Sequence, residues 1–416
     1  MHSKKLLVIG YTWPEPKATA AGKRMEQLLK FFLQFEYHIT FSSTASASDL
    51  SLDLKALGIE RVPIQLNDSR FDGFISELKP HIVLFDRFLT EEQFGWRVAE
   101  YAPDALRILD TEDLHSLRYA REKAFKAKVP CTKDFWLQTE YCKRELASIF
   151  RSDLSLIIST YEMQLLLETE GMTDSLLLYL PFMIAPLSQM ELQNWKPFEA
   201  RTDFICIGNG KHAPNRDAVI WLKETLWPLI RKQLPDTSLH IYGAYLPEHI
   251  QQFHTKKEGF LVHGWVEDLQ TVMGIAKVNL APLRFGAGLK GKLLDAMRHG
   301  TPSVTTAVGA EGIYDPLALP ETVIEDAAAF SKMAVGLYRH QESWHEAQVS
   351  GIHTLKTRFD REVHRVSFQN RIQNLQSNLQ SHRTQNVIGQ LLLHQTLAAT
   401  KYMAKWIEEK NKPRPI

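Results

Sequence analysis

Short apolar runs alternate with helix-spaced apolar positions along most of the chain. Residues 6–10, 37–41, 81–85, 106–110, 154–158 and 176–180 read as strands. Between the first two, Met25, Leu28, Leu29 and Phe32 fall at i, i+3, i+4 and i+7, which puts them on one face of a helix over 22–33. Repetition of this kind predicts a parallel sheet. The rhythm breaks at PFMIAPLSQMELQNWKPFEA, residues 181–200, and a second series resumes with 204–207, 239–242, 261–263, 278–281 and 303–306. An α/β chain of two Rossmann-like parallel-sheet domains is expected, with ligand held where strand ends face each other across a cleft. The expected division is 1–185, 186–368 and a helical tail, 369–416. Within that tail, Leu391, Leu392, Ala398, Tyr402 and Trp406 predict an amphipathic helix over 387–410.

Composition narrows the functional classes. The chain has 416 residues, 44% hydrophobic and 23% charged, with a formal net charge of +1. No global basic field exists for nucleic acid, so an anionic ligand must be held by a local cluster of charge. Cys131, Cys142 and Cys206 are odd in number and lack metal-ligand spacing, which suits a reducing compartment. After MHSKK only five apolar-rich residues, LLVIG, precede polar Tyr11 and Thr12, too few for a signal peptide; a cytoplasmic location is expected, extending at most to the inner face of a membrane.

The chemistry concentrates in PLRFGAGLKGKLLDAMRHGTP, residues 282–302. VNLAPL reads as a buried strand running to Leu283, and KLLDAMRHG as a helix closed by Gly300. Gly286 and Gly288 lie in the turn, where glycine admits positive φ and a close backbone approach. The helix start that follows offers unpaired N–H groups and about half a unit of positive charge. Lys290 and Lys292 add full charges, and Asp295 is placed to reach hydroxyls beside a phosphate, such as those of a ribose. The alternative is an ordinary flexible turn with solvated lysines.

The segment APLRFGAGLKGKLLDAMRHGTPSVTTAVGAEGI resembles the donor-binding segment of GT-B glycosyltransferases of family 4. FICIGNGKHAPNRDAVIWLKETLWPLI is similar to the first strand and helix of that family's C-terminal domain, and GFLVHGWVEDL to its strand and turn beside the nucleotide base. WPEPKATAAGKRMEQLL looks like the N-terminal glycine loop, and RILDTEDLHSLR like the loop on the acceptor side. The resemblance implies a GT-B fold whose C-terminal helix returns to the first domain. It also implies a retaining, metal-independent enzyme that takes a UDP- or GDP-linked sugar as donor substrate and needs no cofactor. A saccharide or lipid-linked acceptor would follow, in bacterial surface-polysaccharide or glycolipid assembly.

Carried over residue by residue, Asp295 matches the second acid of the family's Glu-x7-Glu pattern and implies a ribose contact. The first acid falls at Ala287 and is absent; Glu311, in the next strand-end loop, could supply a carboxylate to the donor sugar instead. Lys290 and Lys292 fall where cations face the diphosphate, joined by Lys211, Arg216 and Arg284. Gly22, Lys23 and Arg24 would approach the phosphates from the first domain, and His115 would stand near the reacting sugar.

Several features keep two readings. DTED, residues 110–113, could seat a metal, but its acids also suit helix capping, and no metal site is expected. Residues 118–133 hold six Lys or Arg against one acid, interleaved with Tyr119, Phe125 and Val129; they could rest on anionic lipid or form a solvated face. An NAD-dependent oxidoreductase is disfavoured because GYTWPEPKATAAG lacks Gly-x-Gly-x-x-Gly. A non-catalytic nucleotide-sugar binder stays open because of Ala287.

Overall fold

The computed structural model describes residues 4–411; the side chains of Thr396, Leu397 and Ala398 and residues 412–416 of the expected tail lie outside the described residues. Chain contacts group into two compact units. One comprises Met1–Ala120, Cys131–Leu180 and Arg365–Ile416, the other Arg121–Pro130 and Pro181–His364.

The first unit contains β1 (Lys4–Gly10), β2 (Tyr37–Ser43), β3 (Glu60–Pro63), β4 (Ile82–Asp86), β5 (Leu106–Asp110), β6 (Leu154–Ile157) and β7 (Leu177–Tyr179). They form one parallel sheet in the order β3-β2-β1-β4-β5-β6-β7. β4, β5 and β6 are buried at every position, which is why they read as continuous apolar runs rather than alternating ones. β3, ERVP, escaped the sequence reading: it is a short edge strand, mostly exposed and closed by a proline, and carries no apolar pattern.

Four helices of this unit matter below: α1 (Ala20–Gln34), α2 (Phe88–Tyr101), α3 (His115–Ala127), of which the last turns from Arg121 count with the second unit, and α4 (Glu140–Arg151). The second unit contains β8 (Thr202–Ile207), β9 (Leu239–Tyr242), β10 (Phe260–Gly264), β11 (Ala276–Ala281) and β12 (Ser303–Thr305), parallel in the order β10-β9-β8-β11-β12. Its helix α5 (Ala213–Trp221) follows β8, and α6 (Gly291–Arg298) follows β11. The direction of winding reverses between β8 and β11, so the loops leaving these two neighbours flank the switch point of the sheet, where doubly wound sheets hold ligands.

Last come α7 (Arg361–Gln385), which counts with the first unit from Arg365 onward, and α8 (Val387–Asn411), assigned to the first unit. Arg383 fixes the start of this tail. Its guanidinium grips both oxygens of buried Asp153 at 2.8 and 2.7 Å and donates to the carbonyls of Pro103 and Ala105. Further on, Ala404 and Leu393 pack against Trp96, Lys401 pairs with Glu100 at 2.6 Å, and Arg97 pairs with Glu408. Among the described residues, α8 is thus held by Leu393, Ala404 and ion pairs. Of the residues expected on its apolar face, Leu391, Tyr402 and Trp406 are exposed and Leu392 is half-buried.

Candidate functional site

In the second unit, the loop between β11 and α6 makes the turn that its glycines require: Gly288 has φ +66° and Gly286 φ +150°. Lys290 then caps α6, 7% exposed, with its ammonium donating to the Gly288 carbonyl at 2.8 Å. Lys292 donates to Asn215 Oδ1 at 2.7 Å, and Asn215 in turn donates to the Asn209 carbonyl at 3.0 Å. Burial pushes the Lys292 pKa down, an effect the nearby Cys206 thiol opposes. Asp295 is half-buried one turn further along α6.

The β8–α5 loop is built to sit close. A Cβ at Gly243, which follows β9, would fall 1.9 Å from the Gly208 carbonyl oxygen, so only glycine admits that approach. Arg216 donates to the Gly210 and Lys211 carbonyls at 2.9 Å each, and the Lys211 ammonium lies 3.6 Å from the centre of the Tyr245 ring. Arg284 forms a two-pronged pair with Asp217 at 2.8 and 2.6 Å and lies over the rings of Phe125 and Trp221.

Glu311, just after β12, accepts both prongs of Arg121 at 2.6 and 2.7 Å, and the Lys290 ammonium stands 3.9 Å away. Arg121 also donates to the Gly286 carbonyl at 2.8 Å. The second unit therefore brings Gly286, Gly288, Lys290, Lys292 and Glu311 together and adds Asn215 and Arg121, which the sequence reading did not single out.

In the first unit, two candidates turn out to have structural employment. The Gly22 amide donates to Thr19 Oγ1 at 2.9 Å as part of the α1 cap, and its Cα lies against Glu15 so closely that a Cβ would meet backbone at 2.3 Å. Arg24 is buried, paired with Asp110 at 2.7 Å and donating to the Leu180 carbonyl at 2.6 Å. Its guanidinium is thus spent inside the sheet's edge rather than offered to a phosphate. Lys23 is half-buried on α1, with its amide on the Thr19 carbonyl. In the 118–133 stretch, Arg118 is paired with Asp113 and Lys126 with Glu122, so fewer charges stand free on that face than the sequence suggested.

His115 opens α3. Its Nδ1 lies 3.1 Å from the Asp113 carbonyl and 3.2 Å from Asp113 Oδ1. Burial pushes its pKa down to about 3, so the ring is neutral at ordinary pH, and with Nδ1–H donating to Asp113 the Nε2 atom is left as an acceptor. Beneath it, Glu145 accepts from the His115 and Ser116 amides and the Ser116 hydroxyl, yet burial holds its pKa up at about 8. Burial together with the Asp110 charge raises Glu112 similarly. Asp110, the first residue of DTED, is committed to Arg24, and among the described residues no group of three or more His, Cys, Asp or Glu is arranged to hold a metal ion.

Residues 201–340 match the family model described as glycosyl transferases group 1. This stretch of the second unit is similar to a group 1 glycosyltransferase domain. An uncharacterised 44.6 kDa protein in the cps region of Klebsiella pneumoniae is 23% identical over 163 residues, which are 38% of this chain and 42% of that protein, so less than half of either is aligned. Among solved structures, the fold resembles the pneumococcal O-GlcNAc transferase GtfA in complex with UDP and GlcNAc, with TM-score 0.65, 13% identity and coverage of 90% of this chain and 99% of that one. It also resembles WaaG, a glycosyltransferase involved in lipopolysaccharide biosynthesis, with TM-score 0.56, 13% identity and coverage of 85% and 95%. With its two parallel sheets, the architecture is GT-B. The group 1 domain includes both lysines, Asn215, Asp295 and Glu311. Arg121 lies outside the matched residues and 190 positions from its partner, a distance across which no sequence spacing could signal the pair.

Proposed function

We propose that the chain transfers a sugar from a nucleotide-diphosphate sugar, UDP- or GDP-linked, to a saccharide or lipid-linked acceptor, with retention at the anomeric carbon and without a metal. The observation that carries this reading is the pair of lysines at the start of α6, Lys290 buried and Lys292 half-buried, held beside a left-handed glycine turn at the switch point. As the bond between sugar and diphosphate breaks, negative charge grows on the leaving diphosphate. Cations already in place stabilise that charge without reorganising. Asp295 would accept the ribose hydroxyls, Glu311 would face the donor sugar, and neutral His115 would accept a hydroxyl hydrogen bond near the reacting carbon, while the leaving phosphate takes the acceptor's proton. UDP in the GtfA complex supports a uridine donor, and WaaG's part in lipopolysaccharide biosynthesis supports a role in surface-glycan assembly.

The test is a thermal-shift panel of UDP-, GDP-, ADP- and CMP-linked sugars followed by donor hydrolysis. A ligand that binds only the folded chain raises its stability by about 2.7 kcal/mol at a hundred times Kd. No shift with any donor would refute the reading; a shift without hydrolysis or transfer would leave a binding protein in place of an enzyme.

A further inference from the structure

We infer that Arg121 sets donor-sugar specificity by fixing the Glu311 carboxylate as the acceptor for that sugar's hydroxyls, an inference that rests on the nucleotide-sugar reading above. The loop lacks an acid at Ala287, so a carboxylate for the sugar must come from elsewhere. Glu311 is the acid beside Lys290, 3.9 Å from its ammonium, whereas Asp217 is taken by Arg284. Left alone it would turn onto Lys290 and cancel the charge meant for a diphosphate. The Arg121 fork instead takes both carboxylate oxygens, at 2.6 and 2.7 Å, and the same guanidinium donates to the Gly286 carbonyl at 2.8 Å.

One planar group thereby sets the angle of the carboxylate and the path of the glycine turn together. A carboxylate has about four lone-pair sites, and the fork uses two, so two remain for hydroxyls. With Lys290, Lys292 and Arg121 against the one acid Glu311, the cluster keeps a net positive charge. The turn of helix bearing Arg121 is itself held to this loop, because the Phe125 ring packs on Phe285 at 5.0 Å between centres and Arg284 lies over Phe125 at 4.8 Å. Lysine could not substitute: a point charge binds one oxygen and leaves the carboxylate free to rotate. Arg121 is a positioning residue, acting through Glu311.

The experiment is isothermal titration of the full chain, Arg121→Ala, Arg121→Lys, Glu311→Ala and the double variant, with UDP, GDP, UDP-glucose, UDP-N-acetylglucosamine and GDP-mannose. Arg121→Ala is expected to keep the Kd for the preferred nucleoside diphosphate within about threefold while the preference for one sugar over the others falls about tenfold or more. Arg121→Lys should restore little of it, and Arg121→Ala should add nothing in the Glu311→Ala background, because coupled residues are non-additive. Unchanged sugar preference, additive effects, or an equal loss for the bare diphosphate, which would make Arg121 a phosphate ligand, would each overturn the inference. If Arg121→Ala does not fold, Arg121→Lys, which keeps the charge and the stem, gives the same comparison. Absence of nucleotide binding by the unaltered chain would remove the nucleotide-sugar reading, and this inference with it, before any variant is made.

Discussion

Replacing Lys292 with Met should separate function from stability. Its ammonium makes one hydrogen bond, to Asn215 at 2.7 Å, and burial drives its pKa below the ordinary 10.5. The unfolded chain therefore holds that proton more tightly than the folded one. Below the depressed folded pKa the full penalty opposes folding, and it is relieved as pH rises from that value towards 10.5. Methionine keeps the apolar stem and removes the charge, at the cost of leaving Asn215 Oδ1 short of a donor, about 1 to 3 kcal/mol if no water replaces it. The two effects oppose, so the melting temperature should move by no more than about 4 °C at neutral pH, roughly 1 kcal/mol in a domain of this size. Turnover should fall by about a hundredfold or more, the effect of deleting one pre-aimed group that stabilises growing negative charge. Donor hydrolysis and thermal melts from pH 7 to 10 measure both: stability of the native chain should gain on the variant as pH rises. A folded Lys292→Met protein with turnover within about threefold of native would refute the reasoning, whatever its melting temperature.

Three further outcomes follow from the same geometry. Asp295→Asn should weaken binding of UDP about tenfold yet leave its 2′,3′-dideoxy analogue nearly unaffected, since the ribose hydroxyls are already missing there; equal losses in titration would remove the ribose contact. Because burial holds His115 neutral, its pKa down at about 3, the pH–rate profile between pH 5 and 8 should have the same shape in the native chain and in His115→Asn, with turnover lowered about five- to tenfold, the worth of one hydrogen bond; a limb near pH 6.5 that vanishes in the variant would contradict this. Burial raises the Asp153 pKa, but Arg107 and Arg383 outweigh it and hold the carboxyl below 3.8, so its stabilisation is present above the unfolded pKa and lost as pH falls through the folded one. Arg383→Ala should cost about 3 to 5 kcal/mol in denaturant melts at pH 7 and expose the tail to limited proteolysis; an unaltered midpoint would show that the tail is anchored elsewhere.

Sequence alone determined what depends on neighbours in the chain. Buried parallel strands must be apolar at nearly every position, so most were readable as runs, whereas the exposed edge strand β3 left no such trace. Glycine at 286 and 288, the lysines after them and Gly300 beyond α6 announced a strand–turn–helix, because positive φ and helix termination are local requirements. The tertiary structure alone decided which charges are available. Arg24, Arg284 and Arg216 look equivalent to Lys292 as cations in a string. Yet Arg24 is paired with the Asp110 carboxylate and Arg284 with that of Asp217, Arg216 donates to two carbonyls of its own loop, and Lys292 donates to the neutral Asn215 amide. The same holds for the tail, where Leu391, Tyr402 and Trp406 are exposed while Leu393, Ala404 and ion pairs hold the helix. A side chain's partner is set by proximity in space, and a residue such as Arg121, 190 positions from Glu311, meets it only in the folded chain. Local backbone demands are written residue by residue; the pairing of buried charge is a property of the packed chain, because desolvation makes each charge take whichever opposite group the fold brings within reach.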